Sequence, residues 1–212
     1  MYKKSKKVFL ASVLALTLSL VGCSSKTKVN DEVRTPPKEL PVATIVVKDF
    51  GTIEAELYPH IAPNTVNNFI DLVSKDFYNG TCFHRVIPNF MVQGGDPDGT
   101  GSGGPGYGIK GEFTSNGFEN NLTHDRGVLS MARAAHKDSA GSQFFIMVKQ
   151  SPHLDGEYTS FGKVISGMET IDEIVMINRD FRDKPINGTD HVIKAMTVDL
   201  KGKEYPKPEV IK

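Results

Sequence analysis

A mainly β domain with two helices is the fold class the sequence predicts. Short β-rich runs recur between turn residues, only two stretches switch to helical spacing, and no internal repeat divides the chain. Ala43–Lys48 and Thr52–Tyr58 flank Asp49-Phe50-Gly51, a hairpin signal. Pro63–Lys75 then changes period: Val66, Phe69, Ile70 and Val73 share one helical face behind a proline that suits the first turn. Thr81–Ile87, Phe90–Gln93, Val128–Ala132, Gln143–Val148, Thr159–Ile165 and Val192–Leu200 follow as strands, and Met168–Met176 as a second short helix. Eight strands separated by turns suit a sandwich or a closed barrel.

Composition narrows the function classes. Of 212 residues 39% are apolar and 24% charged, and 25 Lys and Arg balance 25 Asp and Glu, which excludes collagen, a disordered polyampholyte and a general nucleic-acid binder. Two cysteines, Cys23 and Cys82, cannot make a disulfide-stapled scaffold, so the core must hold itself together.

The first residues form a secretion leader. Lys3, Lys4, Lys6 and Lys7 precede an uncharged run from Val8 to Leu20, too short for a permanent bilayer span. It ends in Leu20-Val21-Gly22-Cys23, which is similar to the lipobox of bacterial lipoproteins. The alternative is an ordinary signal peptide with an incidental cysteine, but the position, the small Gly22 and the following Ser24-Ser25 fit the lipobox. That similarity implies removal of residues 1–22 and lipidation of Cys23, anchoring the protein on the extracytoplasmic side of a bacterial cell membrane through at least two acyl chains. The mature chain would carry 21 basic and 25 acidic residues, a net charge of −4. Residues 23–41, with Pro36, Pro37 and Pro41, form a tether; residues 42–200 form one domain, and residues 201–212 a polar tail. The default expectation is a monomer.

Several chemistries lack their apparatus. Gly99-Thr100-Gly101-Ser102-Gly103-Gly104 satisfies G-x-G-x-x-G, but Pro105, Gly106 and Gly108 follow where a dinucleotide site needs a helix N-terminus. It is expected to be a loop on the rim of a groove. The six histidines, His60, His84, His124, His136, His153 and His191, have no metal-ligand spacing, and no serine-nucleophile motif occurs. Cys82, beside Phe83 in a strand-like run, is expected to be a half-buried, inert thiol. Neither metal nor cofactor is expected.

Two blocks have apolar residues on both faces. Alternation in Phe83-His84-Arg85-Val86-Ile87 puts Phe83, Arg85 and Ile87 on one side, and Met91 and Gln93 together in the next strand. In Gly141-Ser142-Gln143-Phe144-Phe145-Ile146, Phe144 and Ile146 enter a core while Gln143 and Phe145 line the other face. Such strands suit the wall of an apolar binding groove, although a generic sandwich strand has the same pattern.

The block Phe83-His84-Arg85-Val86-Ile87-Pro88-Asn89-Phe90-Met91-Val92-Gln93-Gly94-Gly95-Asp96 occurs with Leu129-Ser130-Met131-Ala132, the Gly141–Ile146 block, and Leu154-Asp155-Gly156 followed by Phe161-Gly162-Lys163-Val164. In this order the four resemble the cyclophilin family of peptidyl-prolyl cis/trans isomerases, over about Val42 to Leu200. The resemblance implies a closed eight-stranded antiparallel β-barrel capped by two helices. It puts catalysis on Arg85 with Phe90 and Gln93, and substrate binding on Met91, Gly101, Ala132, Arg133, Gln143, Phe145, His153, Leu154 and Tyr158.

Three of these positions depart from the family: Arg133 stands where many members have Asn, His153 where many eukaryotic members have Trp, and Tyr158 where a His is common. The first adds charge at the rim; the second removes an indole donor, so cyclosporin binding is expected to be weak. Proline-containing segments of unfolded or secreted proteins are the implied partners. The rival reading is a non-catalytic proline-segment binding module or holdase chaperone, which has no need of Arg85.

Overall fold

The computed structural model describes residues 35–186 and 191–212. The leader, Cys23 and most of the tether lie outside the described residues. Eight strands form one antiparallel sheet: β1 (Val42–Val47), β2 (Gly51–Leu57), β3 (Arg85–Ile87), β4 (Met91–Gly94), β5 (Val128–Met131), β6 (Phe144–Met147), β7 (Ser160–Ser166) and β8 (Ile193–Asp199). Their spatial order is β3-β4-β6-β5-β7-β2-β1-β8. Helices α1 (Pro63–Ser74) and α2 (Met168–Val175) complete the fold.

Period-two patterning decides which face of β1 and β2 is dry. Ala43, Ile45, Ile53, Ala55 and Leu57 are fully buried, while their neighbours in sequence are half-buried or exposed. On α1, Val66, Phe69, Ile70 and Val73 bury as the helical period requires, and the Phe69 ring meets Tyr78, Phe144 and Phe161 at centroid distances of 5.2, 5.6 and 5.3 Å. Ala62 offers α1 no capping side chain. The cap comes from far along the chain, where Glu112 Oε1 and Oε2 accept the Asn64 and Thr65 N–H groups at 3.0 and 2.8 Å. Burial pushes this carboxyl above the usual range.

Register shifts between Glu54 and Ala55, between Leu129 and Ser130, and between Val46 and Val47 help the sheet to curl into a half-barrel. No continuous ladder joins β3 to β8 among the described residues, so the closed barrel expected from sequence is replaced by a curled half-barrel with a seam. The cause lies in Thr81–Ile87, which is not one strand. Its first residues cross the seam, with the Ile193 N–H donating to the Thr81 carbonyl at 2.8 Å and the Phe83 N–H to the His191 carbonyl at 3.3 Å. The chain then leaves strand geometry, and β3 begins at Arg85, where the Val86 N–H donates to the Asp183 carbonyl at 2.9 Å. That break also corrects the face of Phe83, which enters the main core with Val86, opposite the exposed Arg85.

Because Phe69 joins α1 to the sheet through the Phe144 and Phe161 rings and packs on Tyr78 as well, Phe69→Ala is expected to destabilise the fold by about 3–5 kcal/mol, measured by urea denaturation.

Candidate active site

Four short strands carry two apolar faces. Register sets Val86 against Val92, Val92 against Ile146 and Ile146 against Leu129, a row that belongs to the main core. On the other face Met91 pairs with Met147, and both belong to a second cluster with Val128, Phe145 and Leu154. This second cluster opens as a cavity of about 190 Å³ lined by Arg85, Phe90, Met91, Gln93, Ala132, Arg133, Phe145, Leu154 and Tyr158. Nine residues proposed from sequence therefore meet around one space, drawn from three strands and the loops after β3, β5 and β6.

Local sequence explains the placement of several walls. Pro88-Asn89 turns β3 into β4: the Phe90 N–H donates to the Ile87 carbonyl at 3.1 Å, and Asn89 adopts φ 60°, a positive angle that Asn tolerates. Phe90 is thereby held at the groove, its carbonyl accepting from the Val148 N–H at 2.8 Å. A single 3₁₀ turn, Pro152–Leu154, sends Leu154 inward and leaves His153 exposed. His153 is outside the cavity lining and stacks on the back of the site, 5.8 Å from the Phe90 ring.

The two arginines of the groove differ in what holds them. Arg133 is clamped: Nε and Nη2 donate to the Glu157 carbonyl at 3.1 and 3.0 Å, and its guanidinium lies 4.7 Å from the Tyr158 ring centroid. Its charge faces the rim but its hydrogen-bonding fork is occupied. Arg85 is exposed, and among the described residues its guanidinium has no ion pair or hydrogen bond. Across the ladder from Arg85 stands Gln93, whose Nε2 donates to Gln143 Oε1 at 2.9 Å; Gln143 Nε2 in turn donates to the Gly103 carbonyl at 2.9 Å.

Gln143 and Gly101 line a second, larger depression of about 730 Å³, continuous with the groove through Gln93, Ala132 and Arg133. Gly101 thus belongs to this depression and not to the apolar groove. Its far wall is the glycine-rich loop. Asp96 anchors that loop, accepting from the N–H groups of Asp98, Thr100 and Gly101 at 2.8, 3.0 and 2.5 Å. Burial pushes the Asp96 carboxyl up, but the N–H groups of Asp98, Gly103 and Gly101 outweigh it and hold it below the usual carboxylate range. Cys82 is half-buried, and burial raises its thiol pKa, consistent with an inert side chain.

Beneath Phe145 lies a support that sequence reasoning missed. His124 is fully buried and stacks on Phe145 at 6.1 Å. Its Nδ1 is 2.9 Å from Asp155 Oδ1 and its Nε2 is 3.0 Å from Ser130 Oγ. An ionised carboxylate only accepts, so the neutral ring carries its proton on Nδ1 and accepts from the Ser130 hydroxyl. Burial depresses the His124 pKa, against the attraction of Asp155. No local spacing could have revealed this, because Asp155 is 31 residues away.

The curled antiparallel sheet thus holds an arginine, unpaired among the described residues, beside a small apolar cavity with two mutually bonded amide side chains at its edge, an arrangement suited to an apolar ligand group with a polar neighbour. The family model described as cyclophilin type peptidyl-prolyl cis-trans isomerase/CLD matches residues 42–198, and the chain belongs to this family of isomerases. Peptidyl-prolyl cis-trans isomerase B of Bacillus subtilis is 55% identical over 124 residues, covering 58% of this chain and 83% of that protein. Peptidyl-prolyl cis-trans isomerase-like 1 of Gibberella zeae is 45% identical over 150 residues, 70% of this chain and 90% of that protein. In peptidyl-prolyl cis-trans isomerase-like 2 of Cryptococcus neoformans, also 45% identical, the match spans 26% of that protein's length. A Cryptosporidium parvum cyclophilin type isomerase, solved in the presence of the dipeptide Ala-Pro, superposes with a TM-score of 0.68 at 36% identity, covering 74% of this chain and 98% of that one.

As pH falls below about 6.5, an unfolded chain takes up a proton at His124 before the folded protein does, so folding weakens across that window and levels off below the depressed folded pKa. The stability of the parent relative to His124→Asn should accordingly fall between about pH 7.5 and pH 5. Parallel denaturation curves at each pH check it; an unchanged difference contradicts it.

Proposed function

We propose that the chain accelerates rotation about X-Pro bonds with Arg85 acting on the prolyl nitrogen, in secreted or surface proteins. The observation that carries this reading is the Arg85 guanidinium, without ion pair or hydrogen bond among the described residues, at the mouth of a groove walled by Phe90, Met91, Phe145 and Leu154.

Uncatalysed rotation faces a barrier of about 20 kcal/mol, or about 0.01 per second. A turnover of about a thousand per second would require lowering it by about 7 kcal/mol. One charge-assisted hydrogen bond supplies only about 1.5–3 kcal/mol, so several effects must act together. As the amide twists, resonance is lost and the prolyl nitrogen becomes a lone-pair acceptor, which Arg85 hydrogen-bonds only in the transition state. Meanwhile the apolar walls hold the proline ring and favour the less polar, twisted amide. Gln93, fixed by Gln143, orients the substrate carbonyl. The Ala132 N–H donates to the Gln143 carbonyl at 2.9 Å, which fixes the adjacent main chain for the peptide to lie along. No bond is made to the protein, and none of these steps needs a nucleophile.

A coupled isomerisation assay on a short Ala-Pro-Phe peptide tests the division of labour. Arg85→Ala should lower kcat/KM by about ten- to a hundredfold while peptide affinity changes little; equal losses in both would contradict it. In a parent with no rate above background, the groove would only bind, as a holdase does. With His153 exposed beside Phe90 in place of an indole, we expect cyclosporin to inhibit weakly in the same assay, and low-nanomolar inhibition would refute this.

We further propose a lipid anchor at Cys23, which would present the domain to chains emerging across the membrane, where slow proline isomerisation limits folding. Cys23→Ser should abolish palmitate incorporation and shift the protein from the membrane fraction to the soluble one. Retention of label in the variant would rule out this site.

A further inference from the structure

Residues 201–212, a polar tail by sequence, lie along the fold beside α1. Tyr205 packs on the main core, and Lys203 Nζ donates to the Glu39 carbonyl at 3.0 Å. Beyond Pro208 the segment makes paired contacts. Asn64 Nδ2 donates to the Glu209 carbonyl at 2.9 Å, and the Glu209 N–H donates back to Asn64 Oδ1 at 2.8 Å. Two residues on, the Ile211 N–H donates to the Gly108 carbonyl at 2.7 Å and the Gly108 N–H to the Ile211 carbonyl at 2.9 Å.

Gly108 closes the glycine-rich wall of the larger depression. That wall includes Gly103, Gly104, Gly106 and Tyr107, a composition with high conformational entropy unless both ends are fixed. Asp96 fixes one end. At the other, the Ile109 N–H donates to the Ala140 carbonyl at 2.8 Å, so the stretch around Gly108 is hydrogen-bonded to Ala140 on one side and to Ile211 on the other. Helix α1 ties these parts together, since Asn64 and Asn68 stand four residues apart on one face. Asn64 holds the segment, while Asn68 accepts from Tyr107 Oη at 2.9 Å and donates to the Gly141 carbonyl at 2.8 Å.

We propose that Glu209–Ile211 is a strap that positions the glycine-rich wall, and thereby sets the affinity for substrate residues flanking the proline. This rests on the isomerase reading of the groove. The depression joins the groove at Gln93, Ala132 and Arg133, so a peptide longer than the groove extends into it. The wall it meets there is ordered before binding only while the strap is paired.

Two variants separate the strap from the groove. Ile211→Pro removes one N–H from an exposed residue, and Asn64→Ala releases the strap from α1. In both, kcat/KM on a short Ala-Pro peptide should stay within about twofold of the parent, while a peptide extended by three residues on each side should lose about five- to tenfold, through KM. Equal losses on both peptides would overturn the proposal. So would unchanged kinetics on both while amide exchange at Gly108 and Ile109 quickens, because the strap would then be merely structural. Should the parent bind peptides without turning them over, the isomerase reading fails alone; calorimetric affinities of the two peptides then give the same ratio and decide the strap.

Discussion

The pairing of Arg85 with Gln93, and of Gln93 with Phe145, orders both faces of the sheet at once. Side chains alternate strictly along a strand, so the residues between these, Val86, Val92, Phe144 and Ile146, must point the other way into the main core. A slip of one residue would exchange the sets and drive the guanidinium into a dry interior, where an unpaired charge costs several kcal/mol. The large apolar core therefore protects the small polar site: the more strongly Val92 and Ile146 are buried, the less freedom Arg85 has to move. The Pro88-Asn89 turn fixes the same register locally, because its geometry allows few other alignments of β3 on β4.

Around that ladder, a clear division separates occupied from available polar groups. Arg133 spends its fork on the Glu157 carbonyl and its flat face on Tyr158, so its charge shapes the rim without offering donors inward. Gln93 and Gln143 satisfy each other and the glycine-rich loop, which holds them in fixed orientations. Arg85 alone among these four keeps an unengaged fork among the described residues. Buried His124 and Ser130, with the half-buried Asp155, serve the same arrangement from below, since a polar network with every member paired resists rotation of the Phe145 ring resting on it.

The glycine-rich segment shows how one composition supports opposite readings. Its spacing matches a phosphate-binding fingerprint, and only the absence of a following helix argued against that in the sequence. In the fold its N–H groups turn inward to the Asp96 carboxylate, leaving the loop as a wall and not a cradle. Its order is borrowed from both ends of the chain's path, from Asp96 before it and from Ile211 more than a hundred residues later.

Local periodicity determined most of the architecture: the β1–β2 hairpin, both helices and the two-faced strands around Arg85 and Phe145 follow from alternation and turn residues that act over a few positions. The residues of the groove were legible through the resemblance that the four ordered blocks carry: alternation sets the facing of Arg85, Met91, Gln93 and Phe145 on their strands, while Phe90, Ala132, Arg133, Leu154 and Tyr158 lie in the connecting segments, where no local period applies. Tertiary structure decided what depends on contacts between distant segments. Phe83 left its predicted face because the seam pairs Thr81 and Phe83 with His191 and Ile193, which breaks the strand before Arg85. Glu112 capped a helix 47 residues away, His124 found Asp155 beneath Phe145, and a polar tail became a partner of Gly108. A hydrogen bond needs two groups at one point in space, and spacing along a chain says nothing of that point until the sheet has curled.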